Sequence, residues 1–201
     1  MCFAKKNATC RTSIMIRLFL ILLISFTGFS CNKKDADFAF ATLNDLKNQP
    51  TSLAQIAAQQ LTVVYFLGTD CSICQQYSLT LTQLFESNPK VKMIAVVPGS
   101  LTSDMFTFKE KYRLPFDLYA DTYYQLTKAL KANTTPQCFL IKNSKILYSG
   151  KIDDFAVAAG ITRQQVREHY LQDAINAALN DQPILITKTK PAGCFIEIPN
   201  E

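Results

Sequence analysis

Two of the seven cysteines in this 201-residue chain, Cys71 and Cys74, lie three residues apart in the stretch LTVVYFLGTDCSICQQYS, residues 61–78. The apolar, β-branched run Leu61 to Leu67 ends at Gly68, and the cysteine pair follows at once. Beyond it the pattern turns helical, with Tyr77, Leu81, Leu84 and Phe85 on one face. The pair therefore falls where a buried strand gives way to the first turn of a helix. Unpaired backbone N–H groups at a helix N-terminus favour an anion, so a cysteine there has its thiolate stabilised. A second thiol three residues on lies within disulfide reach. This spacing predicts thiol–disulfide exchange, with Cys71 attacking and Cys74 resolving the mixed disulfide. Zinc sites use the same spacing but need two further Cys or His ligands, and no second close pair exists. No metal is assigned.

The compartment follows from the N-terminus. Arg17 is followed by LFLILLISFTGFS and then Cys31, which reads as a secretory signal. The apolar run is short of the roughly 20 residues a membrane-spanning helix needs. GFSC resembles a bacterial lipoprotein signal, although Gly28 stands where Leu is usual, and it implies lipidation at Cys31. Met1 or Met15 could serve as the start, with the same mature chain. The expectation is a domain tethered in the bacterial cell envelope and facing the periplasm or cell exterior. Cys2 and Cys10 are then discarded, leaving Cys71, Cys74, Cys138 and Cys194 in an oxidising compartment.

Composition narrows the class. A 48% apolar fraction supports a core, and the 18% charged fraction is too low for a disordered chain. Lys5, Lys6, Arg11 and Arg17, with no acid in residues 1–30, account for four of the five net positive charges. The remainder carries no electrostatic footprint for nucleic acid.

The elements that must position the pair read in order. Residues 31–37 form a tether, Phe38 to Leu46 alternates like a half-buried edge strand, and Leu53 to Gln60 is a short helix. The cysteine helix ends near Pro89. Val91 to Val97 is a second buried strand, and Thr102-Ser103-Asp104 opens an amphipathic helix carrying Met105, Phe106, Phe108 and Tyr112, whose aromatics read as core. Phe116 to Tyr119 is a short strand, and Asp121 or Thr122 caps a helix to about Lys131. Gln137 to Lys142 and Lys145 to Ser149 pair through Asn143-Ser144. A long helix is expected from Thr162 to Asn180, and residues 183–201 form an extended tail. The domain spans 38–182. Alternating strands and helices give an α/β fold with a central mixed β-sheet flanked by helices.

Four features resemble the thioredoxin-like superfamily, and within it redoxins of the alkyl hydroperoxide reductase and thiol-specific antioxidant type. They are the strand-Cys-x-x-Cys-helix, Thr135-Pro136 before QCFLI, the segment FKEKYRLPFDLYAD (108–121), and ILYSGKIDD (146–154) with a later Gly-Cys-x-Ile tail. The last combination resembles an extracytoplasmic, lipoprotein-anchored subgroup. The resemblance implies a cis Pro136 facing the cysteines, with Thr135 offering backbone groups to an extended substrate. It further implies protein thiols and disulfides as substrates, an electron-donor or acceptor partner, and no cofactor beyond the Cys71–Cys74 couple. Ser-Ile lies between the cysteines where thioredoxin has Gly-Pro, and Asp70 replaces the usual preceding Trp. A carboxylate beside a thiolate opposes its ionisation.

Other thiols keep two readings or more. Cys138 is an accessory thiol or a small core residue. Cys194 folds back as a resolving cysteine, pairs with Cys138, or stays free. Lone His169 has no role, and Asp153 and Asp154 read as loop-capping groups. Two alternative functions remain. A peroxiredoxin-like thiol peroxidase would need a Thr three residues before its cysteine, where Gly68 stands, and an Arg, for which Arg113 is the candidate. A copper-binding metallochaperone would use the soft thiolates.

Overall fold

The computed structural model describes residues 37–199. The expected signal segment, the lipidation site Cys31 and the tether up to Ala36 lie outside these residues. Among the described residues no helix is long and apolar enough to cross a membrane.

Seven strands make the main sheet: β1 (Thr42–Asn44), β2 (Pro50–Ser52), β3 (Thr62–Phe66), β4 (Lys92–Pro98), β5 (Asp117–Asp121), β7 (Gln137–Lys142) and β8 (Lys145–Gly150). Their order is β2-β1-β5-β4-β3-β7-β8. The central strands β3, β4 and β5 are parallel, while β1 against β5, β7 against β3, and β8 against β7 run antiparallel. This is the mixed sheet of a thioredoxin-like α/β fold.

Strand periodicity explains why the middle of this sheet reads as an unbroken apolar run. Successive side chains point to opposite faces, and both faces are covered. Val63, Tyr65, Met93, Ala95, Cys138 and Leu140 join one core, with helices α2 (Ser72–Ser87), α3 (Thr102–Tyr112) and α5 (Tyr170–Leu179). Val64, Phe66, Ile94, Val96, Phe139 and Ile141 join the other, with α1 (Leu53–Ala57), α4 (Gln125–Leu130) and a short 3-10 turn at Asp37–Phe40. On α2, Leu81 is fully buried, a burial that stabilises by roughly 1.5–3 kcal/mol. The β7–β8 turn takes positive φ at Asn143 and Ser144, as a two-residue hairpin requires.

Three expectations change. The Phe38 to Leu46 strand shortens to β1, because the 3-10 turn takes its first residues. Phe106 is exposed rather than core. The long helix from Thr162 is only α5. Ile161–Thr162 is β10, hairpinned to β9 (Ala156–Ala158). The cause is Asp154, whose carboxylate accepts from the backbone N–H of Arg167 and Glu168 and pairs with the Arg163 guanidinium. These bonds fold residues 163–168 into a loop instead of a helix, the usual way a short carboxylate competes with helix formation.

Residues 183–199 return along the domain. Ser149 bridges Lys188, with backbone hydrogen bonds from Ser149 to Thr187 and from Thr189 to Ser149. The Thr189 hydroxyl meets the Tyr148 hydroxyl at 2.7 Å and accepts from the Lys151 N–H. The tail then forms β11 (Cys194–Phe195), antiparallel to β6 (Thr134–Thr135).

Candidate active site

Cys71 sits at the N-cap of α2, immediately past the carboxyl end of β3. That position places its sulfur at the positive end of a four-turn helix. The approach is held by backbone: the Cys71 N–H donates to the Gly68 carbonyl. A side chain at Gly68 would press on both the Thr135 hydroxyl and the Cys71 Cβ, 3.1 and 3.2 Å from the added atom. Glycine therefore lets the strand end and the Thr135-Pro136 loop close on the helix cap. The Thr135–Pro136 bond is cis, and the Thr135 carbonyl oxygen lies 3.2 Å from the Cys71 sulfur.

Cys71 is bonded to Cys194, 123 residues away in sequence. The expected Cys71–Cys74 disulfide is thus not the bond present, and Cys74 is a free, buried thiol. The physical reason is direction. Cys71 caps the helix and faces the Thr135 loop, where β11 delivers Cys194. Cys74 lies one turn inward and faces the core, accepting a hydrogen bond from the Gly68 N–H at 3.4 Å. Burial pushes the Cys74 thiol up to about 12, despite hydrogen bonds from the Gly68 backbone and the Thr135 hydroxyl that favour the thiolate. A thiol so placed stays protonated.

The tail's approach is an edge pairing. Cys194 stands opposite Thr135 and Phe195 opposite Thr134, and the Ile196 N–H donates to the Asn133 carbonyl. Gly193 has φ +156, and a Cβ there would overlap the Thr135 carbonyl. Along the strand Cys194 and Ile196 are half-buried, while Phe195 is 81% exposed. Ile196 borders a cleft shared with Leu67, Pro98 and Tyr124.

Cys138 is also free and fully buried, facing the Gly150 and Lys151 carbonyls at 3.4 and 3.3 Å. Burial, then the nearby Asp153 charge, pushes its thiol well above the ordinary value. It does not meet Cys194. Asp153 is buried beneath α2, accepting from the Tyr77 hydroxyl at 2.5 Å and the Phe155 N–H at 2.9 Å. Desolvation raises its carboxyl above the usual range, although the Tyr77 and Phe155 hydrogen bonds and the His169 charge lower it. The loop-capping expectation describes Asp154 well. It understates Asp153, whose partner Tyr77 lies 76 positions away and leaves no local sequence signal.

Arg113 caps the C-terminus of α3 and is exposed. A helix following β4 returns to the amino end of the parallel strands, so Arg113 is at the opposite end of the sheet from Cys71. His169 is exposed, at the N-cap of α5. Among the described residues no group of three or more His, Cys, Asp or Glu side chains could hold a metal ion.

Sheet order, the Cys71 helix cap and the cis Thr135–Pro136 loop together define a thioredoxin-like redoxin. The AhpC/TSA family model matches residues 34–149, and the chain belongs to that family. Among curated proteins none matches. Of solved structures, a hypothetical protein from Sinorhizobium meliloti 1021 is similar, with a TM-score of 0.72 at 19% identity over 83% of this chain and 94% of that one. An uncharacterized conserved protein from Geobacillus kaustophilus gives a TM-score of 0.69 at 23% identity, covering 81% and 89%.

Proposed function

We propose that the protein is a thiol–disulfide oxidoreductase of the cell envelope, tethered through Cys31, with Cys71 as its nucleophile and Cys194 as the thiol it pairs with. The carrying observation is that Cys71, at a helix N-cap beside the Thr135-Pro136 loop, is already joined to a cysteine on an extended strand. That is the geometry of a mixed disulfide with a polypeptide. In the exchange a partner thiolate attacks the Cys71 sulfur, the bond to Cys194 breaks, and Cys194 leaves as a thiolate that takes up a proton. Run in reverse, a reduced Cys71 thiolate attacks a partner disulfide and Cys194 resolves the product. Substrates are extracytoplasmic protein thiols and disulfides, and no cofactor is required. The signal-like segment and its terminal cysteine support the envelope location.

A peroxidase is the second reading, favoured by the same disulfide and by family membership. Peroxide would oxidise the Cys71 thiolate to a sulfenic acid, releasing the alcohol or water, and the Cys194 thiol would condense with it, releasing water. Gly68 in place of Thr and the remote Arg113 leave the departing oxygen without its usual support, so this reading ranks below exchange. The copper-binding reading lacks a donor set among the described residues.

Redox equilibration against dithiol buffers separates them. A reversible couple between roughly −270 and −120 mV, the span of thiol oxidoreductases, should vanish in Cys71→Ser and Cys194→Ser and persist in Cys74→Ser. A couple lost in Cys74→Ser but kept in Cys194→Ser would overturn the assignment. Rapid consumption of Cys71 by hydrogen peroxide, with little exchange activity, would favour the peroxidase.

A further inference from the structure

The segment Gly193–Ile196 does more than deliver a cysteine. It lies on the edge of β6 as an added strand, with its backbone paired to Asn133, Thr134 and Thr135. Edge pairing of this kind is how an extended peptide is recognised: main-chain bonds hold it, and alternate side chains choose it. Each position of the segment therefore reports what the groove accepts.

Position by position the demands differ. Gly193 is buried, and an added Cβ would overlap the Thr135 carbonyl oxygen and crowd Pro136. Neither neighbour is the flexible end of a long side chain, so the site cannot yield cheaply. Cys194 meets Cys71. Phe195 is 81% exposed and only borders the rim of the cleft beyond, so that position is read weakly. Ile196, on the same side of the strand as Cys194, reaches the cleft bordered by Leu67, Pro98 and Tyr124. Cys194 also lies beyond the residues 34–149 that the family model matches.

We infer that the tail is a tethered stand-in for the substrate, and that the groove selects extended polypeptides carrying Gly-Cys-x-aliphatic, with glycine before the target cysteine as the dominant requirement. This rests on the exchange reading above and names its substrate class. In the reduced protein, where Cys194 is no longer bonded to Cys71, the tail competes with such a strand for the β6 edge, and a substrate disulfide engages Cys71 when the tail lifts away.

The test uses the reduced full-length Cys194→Ser protein and hexapeptides activated as 2-thiopyridyl disulfides. The Cys71 thiolate attacks the peptide sulfur, the peptide–pyridyl S–S bond breaks, and the released thiopyridone is read by absorbance. Mass spectrometry locates the new disulfide. Ala-Gly-Cys-Phe-Ile-Glu should react at Cys71 at least about tenfold faster than Ala-Ala-Cys-Phe-Ile-Glu, a gap that corresponds to the clash of a single methyl group at about 1.4 kcal/mol. A D-Ala in place of that glycine should restore most of the rate, because its methyl replaces the other α-hydrogen and suits a positive φ. Changing Phe to Ser should leave the rate within twofold. Equal rates for the glycine, L-Ala and D-Ala peptides would overturn the selection, while rapid labelling of Cys71 by all three would still uphold the exchange reading. Failure of Cys71 to react with any peptide or with activated free cysteine would defeat both.

Discussion

Cys71 and Cys74 share one helical turn, yet their surroundings diverge. Cys71 caps α2 beside the Thr135-Pro136 loop and is bonded to the tail, whereas Cys74 points into the core and holds its proton to about pH 12. Helix spacing decides which residues are near each other. Which thiol does chemistry depends instead on whether it faces the helix end or the packed interior. Low dielectric penalises the anion at Cys74 more than two hydrogen bonds favour it. At Cys71, the β6 edge pairs with a strand that carries the second sulfur.

The largest expected effect that would break this contrast is loss of exchange. Cys71→Ser should abolish disulfide exchange in an assay with a model protein disulfide, and Cys74→Ser should retain most of it. In reduced protein at pH 7, iodoacetamide should label Cys71 about a thousandfold faster than Cys74. A thiol titrating near 12 is thiolate to only about one part in 10⁵ at that pH, and quantitative mass spectrometry reads the ratio.

Next in size is Gly193→Ala. The added methyl meets the Thr135 carbonyl, so the Cys71–Cys194 bond should reduce more readily, with its equilibrium against dithiothreitol shifted about tenfold or more. An unchanged equilibrium would mean that the tail has another way to sit.

Alkaline pH sharpens the buried side of the contrast. The folded Cys74 thiol titrates near 12, while an unfolded thiol titrates near 9.0. The folded state therefore holds the extra proton in that window, and its stability contribution is full below about pH 9 and lost as pH rises toward 12. Thermal denaturation should show a midpoint falling across that range, with a shallower slope in Cys74→Ala. Cys138, Tyr77 and Tyr148 are raised by burial in the same sense and add to the fall.

Asp153→Asn gives the smallest effect. The amide oxygen still accepts from Tyr77 and Phe155, and the buried charge is gone. Because the Asp153 carboxyl is raised in the folded state, the native protein loses stability as pH climbs through the carboxylate range. The variant should then melt higher than the parent at neutral pH, with the gap closing as the pH falls through the carboxylate range, read by thermal denaturation at several pH values.

Much of the fold is legible in the sequence. The continuous apolar runs at 61–67 and 91–97 announce strands buried on both faces, and the switch to helical spacing after Cys71 places that cysteine at a helix cap. Asn143-Ser144 marks the hairpin. What escapes the sequence is long-range. Local spacing favours Cys74 as the partner of Cys71, since nothing in residues 71–78 records that a distant tail will pair with Thr135. Asp154 likewise looks like a loop residue, while its carboxylate redirects 163–168 and shortens the last helix to α5. Gly193 carries no signal alone. Its reason is the Thr135 carbonyl, visible only once β11 lies on β6.

The most direct test is the disulfide map of the protein in its oxidised form. Free thiols are blocked under denaturing acid conditions, and the proteolytic fragments are sequenced by mass spectrometry. A peptide linking Cys71 to Cys194 is expected, with Cys74 and Cys138 both carrying the blocking group. A Cys71–Cys74 bond with Cys194 blocked would contradict this, returning the chemistry to the helix turn and leaving the tail with no part in it.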